Sequence, residues 1–376
     1  MPRKQKFKHV MSVIERRIRQ GDYVLNPIPG ERKIAEETGV SHMTARKAVR
    51  GLLDRKVLIR RPNGSLDISP GYQADSGPAH FLLLYPAYAS TYLTHLRQTV
   101  GEAAEQYGLS MRPVQYVHWD DPVVTSAVTN PAGLIVIPSS VDVPNHLLGS
   151  LRSSKCVSLD LDLSAHGVPS IGLFPDAHVI KVFDHLRQLG HERIDCISTQ
   201  YHNPEIARRI KLWREWLERH NLAGELLERP TRSFADATPA AYDLMHEALE
   251  RGPLESRAFV GTTFPAAVGA IRACWEKGLA IGKDVSICAI NIEGPARFMT
   301  PAVTGLDTPK LAKLLRQCFD WFTDGSEAAW SGNERLEPTR AELFVGESTV
   351  PALKDGTPTP AERSNPNYNV DVKNTR

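Results

Sequence analysis

Apolar positions in the first 68 residues recur at helical spacing. Phe7, Val10, Ile14 and Ile18 share one face of a predicted helix that follows a basic arm and ends at Gly21. Pro27 and Pro29 keep the next segment extended. Pro29 to Arg50 then reads as a short helix, a tight turn and a second helix. Gly39 supplies the turn, since glycine accepts a positive φ at little cost, and Ser41 stands where an N-cap belongs. Ala45, Ala48, Val49, Leu52 and Leu53 form the apolar back of the second helix. His42, Met43, Arg46, Lys47 and Arg50 lie mostly on its front. Val57 to Ile68 holds two short β-prone runs around Pro62-Asn63-Gly64, a hairpin signal with Arg60 and Arg61 near its tip.

From Phe81 onward the pattern changes. Short apolar runs at Phe81–Tyr85, Pro113–Val117, Gly133–Ile137, Cys156–Leu159, Ser170–Leu173, Arg193–Ile197, Ala258–Gly261 and Val285–Ile290 read as strands. Amphipathic stretches such as Leu93–Tyr107, Asp176–Leu189, Glu205–His220, Ala240–Arg251 and Ala266–Lys277 lie between many of them. The predicted class is α/β, with parallel sheets covered on both faces. The length fits two such sheets and a cleft between two lobes.

Charge sharpens the division. Residues 1–70 carry 16 Lys and Arg against 7 Asp and Glu, and the rest carries 29 against 36. A basic N-terminal module joined to an acidic body suits a segment that neutralises phosphates. The five cysteines show no metal-binding spacing, several lie in apolar runs, and buried thiols in a reducing cytoplasm are the expectation. No signal-peptide core and no apolar run of membrane-spanning length is present, so a cytoplasmic protein is expected. Residues 70–79 are rich in Pro, Gly and small polar residues and read as a linker. The tail, 352–376, reads as disordered.

A helix with an apolar back and a front of long cations fits a DNA major groove. The wording PGER, a polar helix, then GVS-x-x-T-x-R-x-A-x-x-x-L resembles the winged helix-turn-helix of the GntR family of bacterial transcription regulators. The matching residues include Arg32, Gly39, Ser41, Thr44, Arg46 and Leu52. The family often has Arg where this chain has His42. Residues 1–69 are thus expected to bind DNA through Arg32, Lys33, Ser41, His42, Thr44, Arg46 and Lys47, with Arg60 and Arg61 on the wing. Ser41 and Thr44 are assigned to phosphate, and His42 and Arg46 to bases.

Residues 80–351 carry a second resemblance. Leu189-Gly190-His191-Glu192-Arg193-Ile194, the stretch Ala267 to Ile287, Pro301-Ala302-Val303-Thr304 and a closing strand at Glu347-Ser348-Thr349 resemble the LacI/GalR effector domain. That domain shares the periplasmic-binding-protein fold. The combination is similar to arabinose-repressor-type regulators, which implies a homodimer on operator DNA and a small-molecule effector.

Ligand groups in such lobes come from loops after the carboxyl ends of strands. The effector residues expected on that rule are Tyr88, Tyr92, Trp119, Ser139, Phe174, Phe264 and Asn291, and the resemblance adds Arg209 as a sugar-clamping arginine. Asp160, Gln200, Thr263 and Glu293 also lie in these loops. Phe174 and Thr263-Phe264 replace the relatives' usual polar residues, so the cleft is expected to be poor in polar groups. A modified or partly apolar effector stacking on Phe174, Phe264 or Trp119 follows. The alternative is a constitutive dimeric DNA binder whose pocket has been lost. No nucleophile elbow, P-loop, dinucleotide fingerprint or HExxH motif occurs, so no catalytic residue, cofactor or metal is expected.

Overall fold

A computed structural model describes residues 3–23, 27–69, 72, 80–87, 90–129, 133–139, 142–233, 235–324, 330 and 334–352. Three helices open the chain: α1 (Arg3–Arg19), α2 (Glu31–Thr38) and α3 (His42–Asp54). Val10, Ile14 and Ile18 of α1 pack with Ile34, Ala45, Val49 and Leu52 in one small core. Gly39 ends α2 with φ +63°, in the left-handed region. Ser41 then caps α3, its hydroxyl accepting from the Thr44 amide at 3.3 Å. β1 (Leu58–Arg60) and β2 (Leu66–Ile68) pair antiparallel as the expected hairpin. Ile28, between the two prolines, bridges to Leu66 and adds an extended neighbour.

Beyond residue 80, β3 (His80–Pro86), β4 (Ser110–Tyr116), β5 (Leu134–Val136), β6 (Cys156–Leu159) and β7 (Ser170–Ile171) alternate with α4 (Thr91–Gln106), α5 (Pro122–Val128) and α6 (Asn145–Ser153). After α7 (Asp176–Gln188) come β8 (Asp195–Ser198), α8 (Pro204–His220), β9 (Leu226–Glu228), α9 (Ala237–Glu250), β10 (Ala258–Gly261), α10 (Phe264–Glu276), β11 (Ser286–Asn291) and β12 (Thr304–Leu306). α11 (Leu311–Thr323), β13 (Arg335–Leu336) and β14 (Leu343–Phe344) follow.

Two six-stranded sheets result, ordered β13-β7-β6-β5-β3-β4 and β14-β12-β11-β10-β8-β9. Every pairing in them is parallel except β12 with β14. β5, β6, β8, β10 and β11 are buried along their whole length, as strands covered on both faces must be. The chain passes between lobes three times: from β7 to α7, from β12 to α11 against α4, and from β13 to β14.

The closing strand differs from expectation. Glu347-Ser348 is a turn, and β14 precedes it. Ser348 still anchors the segment: its carbonyl accepts from Ile287 N at 2.8 Å and its hydroxyl from Thr304 N at 2.9 Å. His191 belongs to the same anchor, with Nε2 3.1 Å from Ser286 Oγ and 3.0 Å from the Val350 carbonyl. All five cysteines are buried free thiols, and burial pushes their pKa values up. Among the described residues no helix is long and apolar enough to cross a membrane. The expected linker, apart from Tyr72, and the expected tail, apart from Ala352, lie outside the described residues.

Candidate functional site

The cleft between the two sheets holds a cavity of about 620 Å³. Its walls come from the carboxyl ends of strands, as parallel sheets direct. From the first lobe, Ser90 and Tyr92 follow β3, Ser139 follows β5 and Asp160 follows β6. From the second, Gln200, Glu205 and Arg209 follow β8, Arg232 and Asp236 follow β9, Phe264 follows β10, and Asn291 and Glu293 stand at the end of β11.

Arg209 is 4% exposed and organises one wall. Its Nε donates to Glu205 Oε1 at 2.9 Å, and its Nη1 to Asn291 Oδ1 at 2.7 Å and to the Thr262 carbonyl at 2.6 Å. Glu205 and Arg209 sit four apart on α8, the spacing that brings side chains together on a helix. Burial pushes the Glu205 carboxyl up to about 7 against the opposing pull of Arg209, and Asp160 adds to the rise. Asp160 is also raised, chiefly by burial, with Arg209 and the Tyr92 hydroxyl opposing it. Glu293 is pushed up to about 7 by burial, with Asp236 contributing.

Five of the eight residues expected at the effector site border this cavity: Tyr92, Ser139, Arg209, Phe264 and Asn291. Trp119 does not. Its ring is 5% exposed and stacks on Tyr116, 4.7 Å between centroids, inside the core of the first lobe. Phe174 lies behind Arg209, whose guanidinium stands 5.6 Å from the ring, and borders a smaller recess of about 120 Å³. Tyr88 lies outside the described residues. The cleft is not poor in polar groups as expected, because Asp160, Glu205, Asp236 and Glu293 all reach it. Sequence reasoning passed over Glu205, Arg232 and Asp236. The i,i+4 spacing to Arg209 was a legible signal for Glu205, and the N-cap position before α9 for Asp236.

On the head, α3 presents His42, Met43, Arg46, Lys47 and Arg50 outward, and Arg32 and Lys33 are exposed on α2. Ser41 Oγ lies 2.9 Å from Thr44 Oγ1, so the cap and the expected phosphate contacts are adjacent. The Lys47 ammonium rests 4.8 Å from the centre of the Phe7 ring. The wing cations meet acids: Arg60 Nη2 donates to Glu31 Oε1 at 3.2 Å, and Arg61 Nε to Asp67 Oδ2 at 2.8 Å. His42 Nε2 lies 3.8 Å from Glu31 Oε2.

Comparison with known proteins places both parts. Residues 6–68 match the model of bacterial regulatory proteins of the gntR family, and residues 183–349 match that of the periplasmic binding protein-like domain. The HTH-type transcriptional regulator GanR of Bacillus subtilis (strain 168) is 31% identical over 130 residues, which cover 33% of this chain and 39% of that protein. The match therefore spans about two-fifths of the relative's length. The fold resembles a LacI family transcriptional regulator from Bifidobacterium animalis subsp. lactis DSM 10140, with a TM-score of 0.59 and 20% identity over 73% of this chain and 99% of that one. It also resembles the Lac repressor dimer bound to operator and the anti-inducer ONPF, with a TM-score of 0.58 and 18% identity over 74% and 97%. The chain joins a gntR-type helix-turn-helix domain to a periplasmic-binding-protein-like domain of the LacI fold.

Proposed function

We propose that this protein is a DNA-binding transcriptional regulator whose operator affinity is set by a small molecule in the interlobe cleft. The head, residues 1–69, reads DNA; residues 80–351 bind the effector and dimerise. The observation that carries this reading is the joining of an outward cationic α3 to a body with a 620 Å³ cleft at its strand ends. A cavity of that size with converging polar groups supports a working effector site over the constitutive alternative. Arg46 is assigned to base edges, with guanine its natural partner, and Arg32, Lys33, Ser41, Thr44 and Lys47 to phosphate. Arg60 and Arg61 serve the wing, and His42 a base. Two heads in a homodimer match a two-fold operator, and the Lac repressor, similar in fold, binds its operator as a dimer. Such a protein works in the cytoplasm.

Selection of full-length protein against random DNA duplexes tests the reading. A pseudo-palindromic site is expected, and Arg46→Ala relaxes the preference at one position in each half-site, at a cost of about 1–3 kcal/mol per contact. If no sequence is enriched, the proposal fails.

A further inference from the structure

Glu293 follows β11 at the edge of the interlobe cavity and is 7% exposed. Among the described residues its carboxylate accepts no hydrogen bond and meets no cation. Asp236, the cap of α9, stands near enough to raise its hold on a proton. The cations of the cavity are committed elsewhere or remote in contact. Arg209 is taken by Glu205, Asn291 and the Thr262 carbonyl, and Arg232 is exposed and makes no ion pair with either acid. Asp142, Asp160, Glu205, Asp236 and Glu293 therefore face the cavity against two guanidiniums.

A buried carboxylate with no partner is costly, and a ligand cation removes that cost on binding. Anionic ligands meet the opposite field. We infer that the cleft takes an effector bearing a protonated amine, seated at the Glu293 and Asp236 carboxylates, on a small polar body that reaches Asp160 and Tyr92 across the cleft. An ammonium brings three donors and no acceptor, which suits two carboxylates lining one cavity. This inference rests on the reading of the cleft as an effector site.

Calorimetric titration of the full-length protein at pH 7 tests it with matched probes: glucosamine, its β-1,4-linked disaccharide and 1,4-diaminobutane, against glucose, cellobiose and 1,4-butanediol. At least one amine is expected to bind ten-fold or more tighter than its neutral counterpart. Glu293→Gln abolishes that advantage. Asp236→Asn, which keeps the helix cap, reduces it and serves if the first variant fails to fold. If no amine exceeds its counterpart, the inference is overturned; should DNA selection still enrich a site, the regulator reading stands. If that selection also fails, the regulator reading falls with it.

Discussion

Glu293 shows how a single side chain carries a measurable signature. Its pKa is raised from 4.5 to about 7. Between those values the unfolded chain releases a proton that the folded chain keeps, so stability falls as pH rises through the window. The penalty is absent below about pH 4.5 and complete above about pH 7, and amounts to roughly 3 kcal/mol. Glu293→Gln carries no such charge. Urea unfolding is expected to find the variant more stable than the parent at pH 8 by that amount and equal to it near pH 4. A difference that does not change with pH would remove Glu293 as an unpaired acid. The rule that ligand groups follow strand ends reached this residue from the sequence. That the residue lacks a partner depends on where α8 and α9 set their charges, and no local pattern encodes that. Trp119 failed under the same rule for a related reason: the loop after β4 turns back, and the indole finds Tyr116 before it finds the cleft.

At the scale of elements, what the sequence made legible follows burial and length. β6 and β10 match the apolar runs residue for residue, while the equally buried β5, β8 and β11 differ from theirs by one or two residues at each end. β9, β12, β13 and β14 were missed; each is two or three residues long. α5, α6 and α11 were not among the helices named from the sequence, the first two being nine residues or fewer. Glycines on two helices allow a contrast. A Cβ on Gly269 of α10 would lie 2.3 Å from the Thr238 carbonyl oxygen and 2.6 Å from Tyr242 N, both on α9. Backbone cannot yield as a side chain tip can, so Gly269→Ala forces the helices apart at a cost of about 2 kcal/mol or more. A Cβ on Gly149 of α6 meets nothing within 4 Å. Gly149→Ala is expected to stabilise by about 0.5–1 kcal/mol. Thermal unfolding of the two variants checks both signs. Because α9 also carries Asp236 and Thr238 at the cavity, only Gly269→Ala should weaken effector binding.

At the scale of the molecule, the proposed function requires the basic head and acidic body to act on DNA together. Asp22, just after α1, pairs with Arg112 on β4 at 3.1 Å, with both side chains more than a third exposed. An exposed pair of this kind contributes at most about 1 kcal/mol, so it biases the head without locking it. Closure of the lobes around an effector can therefore move the heads, provided the effector binds one arrangement better than the other. The proposed phosphate-facing assignment of Lys47 gives the proposed dimer a quantitative test. Its ammonium rests 4.8 Å from the centre of the Phe7 ring on α1, and a backbone phosphate is the partner proposed for it. Each phosphate neutralised contributes about 0.9 to the slope of log K against log salt. A dimer carries two such lysines, so Lys47→Ala is expected to lower the slope on a selected site by about 2, and to weaken binding evenly across sequences. Fluorescence anisotropy over a salt series measures this. A drop of about 1 would mean that a single head is engaged. No drop, with altered sequence preference, would move Lys47 from phosphate to base and require α3 to lie differently in the groove.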